Sequence, residues 1–223
     1  GSEMCIRDRG MTKAELASMM VGREVLFQLD KAPAQPGEVR LALENVEALD
    51  DKFLPALCKV SISVRSGEIL GIAGVAGNGQ RELAEAIAGL RAVSGGDIGL
   101  VGRPIQGRSP RAVMEMGLSY IPEERMRDGV IREFTVSENL ILREFDLQPF
   151  AHNGFLDRGA IQSNATTLVK DFSVKTPSLE TPVKNLSGGN IQKLVLAREL
   201  ARKPQVIVAA QPTRGLDLSL IHI

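Results

Sequence analysis

The chain has 223 residues, with 27 Lys and Arg balancing 27 Asp and Glu, so its formal net charge is zero. Zero charge argues against a chain that works by gripping nucleic acid or an anionic membrane surface, and 4% aromatics leave little to stack on bases. No apolar run is long enough to cross a bilayer and no basic-then-apolar export signal opens the chain; the two distant cysteines, Cys5 and Cys58, suit neither a metal site nor a disulfide framework.

In chain order, the first feature lies at both ends. Met4-Cys5-Ile6-Arg7-Asp8-Arg9 and Leu218-Ser219-Leu220-Ile221-His222-Ile223 can be encoded by inverted copies of one DNA sequence. That sequence resembles the transposon-end adapter of sequencing libraries. Residues 1–9 and 218–223 are therefore expected to be scars, Cys5 and His222 to carry no function, and the native chain to continue past both ends. Thr12 to Val25 reads as a short helix ending near Gly22. Lys31 to Glu38, KAPAQPGE, reads as a linker after a preceding domain.

Val39, Leu41 and Leu43 alternate as a strand, as do Val60, Ile62 and Val64, and Ser66-Gly67 is a turn. Ile69 to Val75 is a continuous apolar run and is predicted to be a buried parallel strand. It leads into a glycine loop, Gly74 to Gly79, and a helix over Arg81 to Leu90. Ser109 to Met116 reads as a short helix and Leu118 to Ile121 as a strand. Thr135 and Glu138 form a capping box that opens a helix through Leu142. His152 lies in a polar loop and reads as surface. A helix is expected from Arg158 to Phe172, another opening at Ser187-Gly188-Gly189 with Ile191, Leu194 and Val195 on one face, and a second buried strand from Val206 to Ala210. Strands alternating with helices imply a parallel sheet with crossovers.

Four motifs carry chemistry. Gly74-Val75-Ala76-Gly77-Asn78-Gly79-Gln80-Arg81-Glu82 sits between strand and helix, where backbone N–H groups and a helix N-terminus cradle phosphates. The full pattern has Lys at position 80 and Ser or Thr at position 81. Here Gln80 is neutral and Arg81 cannot ligate a cation. Leu186-Ser187-Gly188-Gly189-Asn190 combines a serine hydroxyl, glycine amides and a helix start, a set suited to a terminal phosphate. Val206 to Ala209 runs into Ala210-Gln211-Pro212-Thr213-Arg214-Gly215-Leu216-Asp217. Tyr120-Ile121-Pro122-Glu123-Glu124-Arg125 follows a strand.

The second motif, at its spacing from the third, closely resembles the signature of ABC transporter ATPases. The resemblance covers 39–217 and implies a P-loop NTPase-like α/β domain. That domain has a mixed core sheet, an antiparallel β subdomain and a helical subdomain at about 125–185, and here it is truncated at the C-terminus. It implies ATP and Mg²⁺ as cofactors. Gly74, Gly77, Asn78, Gly79, Gln80, Arg81 and Glu82 become the nucleotide loop. Ala210 stands where the Mg²⁺-anchoring Asp belongs, Gln211 at the general-base Glu, Glu123 at the Q-loop glutamine and Asp217 in the D-loop. An adenine-stacking aromatic is expected near Asp51 to Phe53, with Phe53 the nearest candidate.

Residues 10–30 are similar to the close of the first ATPase half in carbohydrate-type importers, whose second half has a defective phosphate loop and an LSGGN signature. The third motif most resembles the nucleoside-importing branch, with the ribose and galactose branch next. Implied partners are a preceding ATPase half, two membrane permease subunits and an extracytoplasmic substrate-binding lipoprotein, with no nucleic acid. The implied location is the cytoplasmic face of the membrane, held there through the permeases. In the family each ATP meets the loop of one half and the signature of the other. This half is therefore expected to be inactive alone, and to lend Leu186, Ser187, Gly188, Gly189 and Asn190 to its partner's site. The alternatives are a catalytically silent regulatory nucleotide-binding module and a soluble non-transport ABC ATPase.

Overall fold

The computed structural model describes residues 35–75 and 77–213. The helix predicted over Thr12 to Val25, both end segments and Asp217 lie outside the described residues. Strand β1 (Val39–Leu49) begins with the alternation read from the sequence, burying Leu41 and Leu43. One extra residue then flips the parity. Asn45 sits at φ 50, the register against the next strand shifts between Leu43 and Val46, and burial resumes at Val46 and Ala48. A bulge of this kind keeps the apolar side facing the core across the irregularity. The Asn45 N–H donates to Ser61 Oγ at 2.9 Å.

Strands β2 (Pro55–Arg65), β3 (Gly95–Leu100) and β4 (Arg103–Pro104) complete an antiparallel sheet in the order β2-β1-β3-β4. Leu43 stands opposite Ile62 on one side and Ile98 on the other. Helix α1 (Gln80–Ile87) lays Leu83, Ala86 and Ile87 into the core that this sheet forms. Helix α2 (Pro110–Glu115) starts where Ser109 Oγ accepts the Ala112 N–H, with Pro at its first position.

Strand β5 (Leu118–Ile121) pairs in parallel with β8 (Val206–Ala209). Parallel neighbours need a long crossover. Here it carries α3 (Val136–Leu140), the hairpin β6 (Ala151–His152) and β7 (Phe155–Leu156), α4 (Arg158–Asp171) and α5 (Gly188–Ala201). The antiparallel sheet, the parallel pair and the helical region are the parts the sequence led us to expect. His152 is exposed, as read.

Two expectations are corrected. Ile69 to Val75 is not a buried strand: it pairs with no strand among the described residues, and Ile69 and Val75 are 79% and 75% exposed. Apolar content makes a strand only where a neighbouring strand takes up its N–H and C=O groups, and among the described residues β5 and β8 pair only with each other. The strand at Val206 is only half-buried: Val206 is 8% exposed, while Ile207, on the opposite face, is 47% exposed.

A second core gathers Val136 and Leu140 of α3, Ala165 and Leu168 of α4, and Ile191, Leu194 and Val195 of α5. The capping box forms as read: Thr135 Oγ1 accepts the Glu138 N–H at 3.2 Å, and Glu138 Oε2 accepts the Thr135 N–H at 2.8 Å. Behind it Asn139 is fully buried. Its Nδ2 donates to the carbonyls of Ile131, Phe134 and Thr135, and its Oδ1 accepts the Ile131 N–H. At the far end of α5, buried Glu199 accepts from Arg198 Nε at 3.0 Å and Arg143 Nε at 3.1 Å. Burial pushes the Arg198 guanidinium below its ordinary pKa, and Glu199 opposes that shift.

A charge cluster binds the β1–β2 turn to α1. Arg91 Nη2 lies 2.7 Å from Asp51 Oδ1 and 2.6 Å from Glu85 Oε2, and Arg81 Nε donates to Glu85 Oε1 at 2.6 Å. The hydrogen bond from Arg91 holds the Asp51 carboxyl below the usual carboxylate range.

Asn139→Ala orphans buried carbonyls and is expected to cost about 2–4 kcal/mol, against about 1 kcal/mol for Thr135→Ala. Denaturant unfolding reads both, and equal losses would contradict the role given to Asn139. For Asp51 the folded pKa is lowered, so its stabilisation is complete above the unfolded value of about 3.9 and is lost as pH falls through the folded value. Unfolding midpoints of the parent and Asp51→Asn chains, followed from pH 7 downward, should converge at the acid end; a constant gap contradicts the ion pair.

Candidate functional site

The glycine loop closes onto α1 through Gly79, which precedes the helix at φ 91. A Cβ there would stand 2.5 Å from the Ala56 carbonyl oxygen, so the backbone approaches β2 as only glycine permits. Gly77 and Asn78 are exposed on the same loop, and Ala76 lies outside the described residues. Gln80 begins the helix, but its side chain folds back. Its Nε2 donates to the Val75 carbonyl at 3.1 Å and lies over the α-carbon of Gly74. Position 80 thus presents a neutral amide bonded to the loop itself.

Arg81 does not turn toward the loop to replace that charge. Glu85, one turn along α1, takes its Nε, and Asp51 Oδ2 stands 3.6 Å from its Nη1. The hydrogen bond to Glu85 raises its pKa above the ordinary value. Glu82, half-buried in the first turn, complements the helix's positive pole with negative charge. Phe53 is 82% exposed at φ 63, in a turn where Asp50 Oδ1 accepts the N–H groups of Lys52 and Leu54. Through Asp51 this turn is drawn to Arg81 of α1 and to Arg91. The sequence pointed to Arg81 and Phe53. It did not reveal that Asp51, Glu85 and Arg91 govern them; only the Arg81–Glu85 spacing of four along a helix was a legible sign.

The Ser187 motif is built differently. Ser187 is exposed and caps α5, its Oγ accepting from Asn190 Nδ2 at 2.9 Å and more loosely from the Asn190 N–H at 3.4 Å. Asn190 is fixed in turn, its Oδ1 accepting the Lys175 N–H at 2.8 Å. Leu186 is half-buried against the second core. Gly188 and Gly189 form the first turn, whose backbone N–H groups have no partner within the helix. A 14-residue helix ending this way presents a hydroxyl, amides and a positive pole to solvent, a set that fits a phosphate oxygen.

The parallel register sets Ile121 opposite Ala209, so Glu123 and Gln211 leave the same end of the two strands. In parallel sheets that end is where ligands bind. Glu123 is half-buried there. Gln211 is exposed at φ 46, and the Ala210 N–H is held by the Ile121 carbonyl at 2.9 Å. Ala210 has no ligand atom to offer a cation, and among the described residues no group of three or more His, Cys, Asp or Glu side chains could hold a metal. Neither the neutral Gln80 amide nor the Ala210 methyl offers the positive charge or the ligand atom that Mg²⁺-triphosphate calls for.

The sequence is 43% identical over 214 residues to the guanosine import ATP-binding protein NupO of Bacillus subtilis, covering 96% of this chain and 42% of that one. It is 46% identical to the glucose import ATP-binding protein TsgD13 of Haloferax volcanii, covering 95% and 39%. It is 41% identical to the ribose import ATP-binding protein RbsA of Geobacillus kaustophilus, covering 92% and 40%. The chain thus spans about two fifths of the length of the curated relatives it matches. Among solved structures, a nucleotide-free ATP-binding cassette from an ABC transporter superposes with TM-score 0.68 at 24% identity, covering 82% of this chain and 73% of that one. The ADP- and Pi-bound dimeric cassette MJ0796 gives 0.64 at 22%, covering 79% and 76%. The model of the ABC transporter family matches residues 57–214, and the chain belongs to that family.

Proposed function

We propose that this chain is the energising ATP-binding part of an importer for nucleosides or simple sugars, and that it forms the second of two ATPase halves. The import of guanosine, glucose and ribose named for its relatives supports the substrate class, and the run from Ala210 to Asp217 favours the nucleoside branch. The partners are a preceding ATPase half, two membrane permeases and a substrate-binding lipoprotein outside the membrane. Among the described residues no helix is long and apolar enough to span a bilayer, so attachment to the cytoplasmic face is assigned to the permeases.

The observation that carries this reading is an asymmetry between what the half keeps and what it lacks. It keeps Ser187 exposed at the start of a buried, well-anchored helix. Its own loop has Gln80 bonded to Val75, Arg81 held by Glu85, and a strand that ends in Ala210 and Gln211. When bound across the interface, MgATP supplies the phosphoryl group; Ser187 donates its O–H to a terminal phosphate oxygen, and the first amides of α5 stabilise the charge that builds there. In this half's own site Gln211 can orient a water but cannot take its proton, which alone costs about 10²–10⁴ in rate. Gly74, Gly77, Asn78, Gly79 and Glu82 then shape a loop without turnover. Glu123 lies on the path to the permeases, and Asp217 belongs to the interface between halves.

In the full two-half ATPase, Ser187→Ala is expected to lower kcat by about 10²-fold or more, while Gln80→Ala changes it less than about twofold. Steady-state hydrolysis with saturating MgATP measures both. This half purified alone should show no turnover above background. Robust hydrolysis that depends on Gln80 or Gln211 would refute the reading.

A further inference from the structure

Helices α3 and α5 both open on a hydroxyl that meets a side chain three residues on, and the two pairs differ in where one proton goes. At α3, Thr135 Oγ1 donates to Glu138 Oε2 at 2.9 Å. An ionised carboxylate only accepts, so the hydroxyl's single hydrogen is consumed inside the cap. At α5 the residue in the same place is Asn190, and Ser187 Oγ accepts from its Nδ2 at 2.9 Å and from its N–H at 3.4 Å. A third group sets the direction of the shorter bond. Asn190 Oδ1 takes the Lys175 N–H at 2.8 Å. A backbone N–H can only donate, so the amide oxygen must face Lys175 and the amide nitrogen must face Ser187. Lys175 is held in turn. The chain leaves α4 through Ser173, at φ 51, and through Val174, which is buried and whose N–H donates to the Val169 carbonyl at 2.9 Å. Lys193 Nζ donates to the Ser173 carbonyl at 2.9 Å, a second tie between α5 and this segment.

A serine hydroxyl has one hydrogen to give and two lone pairs to fill. At Ser187 both lone pairs face donors of Asn190, and the capacity left over is the hydrogen, on an exposed side chain. We propose that Asn190 is a positioning residue that fixes the polarity of Ser187, filling its lone pairs so that the hydroxyl acts only as a donor. This rests on the donation of Ser187 to a partner's ATP proposed above, and supplies its physical cause. The amides of Gly188 and Gly189 on the same turn are donors too, so an arriving anion meets hydrogens alone. An oxygen that accepts two hydrogen bonds gives its own hydrogen more strongly. A donor already oriented needs no rearrangement as charge builds on the phosphate oxygen. Asn190 acts from within its own half, through Ser187, and the role requires no contact with the nucleotide.

The test is a double-mutant cycle in the full two-half ATPase, read as single-turnover hydrolysis at saturating MgATP. Asn190→Asp keeps an oxygen for the Lys175 N–H but turns an acceptor toward Ser187, so the hydroxyl is drawn inward as it is at Thr135. Asn190→Leu removes both side-chain bonds. Asn190→Leu is expected to lower the rate about tenfold, and Asn190→Asp at least as far although it retains the anchor to Lys175. In the Ser187→Ala background, where no hydroxyl remains to be oriented, Asn190→Leu should change the rate less than about twofold. A half that was merely destabilised would lose activity equally in both backgrounds, so equal losses overturn the proposal. An Asn190→Asp enzyme within about twofold of the parent overturns it as well. If Ser187→Ala has no effect, donation in trans fails and this inference with it; if Ser187→Ala cripples hydrolysis while Asn190→Leu leaves the parent rate intact, only the role of Asn190 fails.

Discussion

The start of α5, proposed to meet a phosphate, is only as well placed as the helix behind it. Ile191, Leu194, Val195 and Ala197 are buried to 2% exposure or less, and Glu199 is locked between two arginines at the far end. Ser119 Oγ of β5 donates to the Glu199 carbonyl at 2.9 Å, which ties the helix to the parallel strands. Removing one partner from a buried ion cluster leaves an uncompensated charge, so this end of α5 resists displacement. The exposed hydroxyl of Ser187 is therefore carried on a rigid support, which the role proposed for it requires.

The glycine loop follows the opposite logic. Its shape persists: Gly79 still brings the backbone against Ala56, and α1 still packs its apolar side into the core. Its nearby charges are taken up by one another. The charges that stand near the loop are joined to one another, Arg81 to Glu85 and Arg91 to Asp51 and Glu85, so the cluster braces a turn against a helix without presenting a cation to a ligand. Under the proposed head-to-tail arrangement a loop without a free cation is tolerable, because the surface a half lends to its partner and the surface it uses itself are separate. One can decay while the other is held by the core.

Sequence patterns carried the local structure well, for reasons visible in individual residues. Leu118 to Ile121 is a strand, Thr135 with Glu138 is a capping box, Ser109 and Ser187 cap helices, and each of these signals is complete within a few residues. What the sequence could not show depends on pairing over distance. Ile69 to Val75 has the apolar content of a central strand but no strand beside it among the described residues. Arg81 was legible as a misfit at position 81. That it turns from the loop follows from Asp51, 30 residues earlier, and from Arg91 sharing the same acids. The fold of Gln80 onto Val75 and the reach of Asn190 to the Lys175 N–H likewise depend on side-chain direction, which periodicity does not encode.

The most direct test of single-site catalysis is to trap the full two-half ATPase with MgATP and vanadate, irradiate it with ultraviolet light, and map where the backbone is cut, since cleavage marks residues beside the terminal phosphate. The proposed arrangement predicts a cut at Ser187 and none between Gly74 and Arg81. A cut within Gly74 to Arg81, with Ser187 left intact, would contradict it.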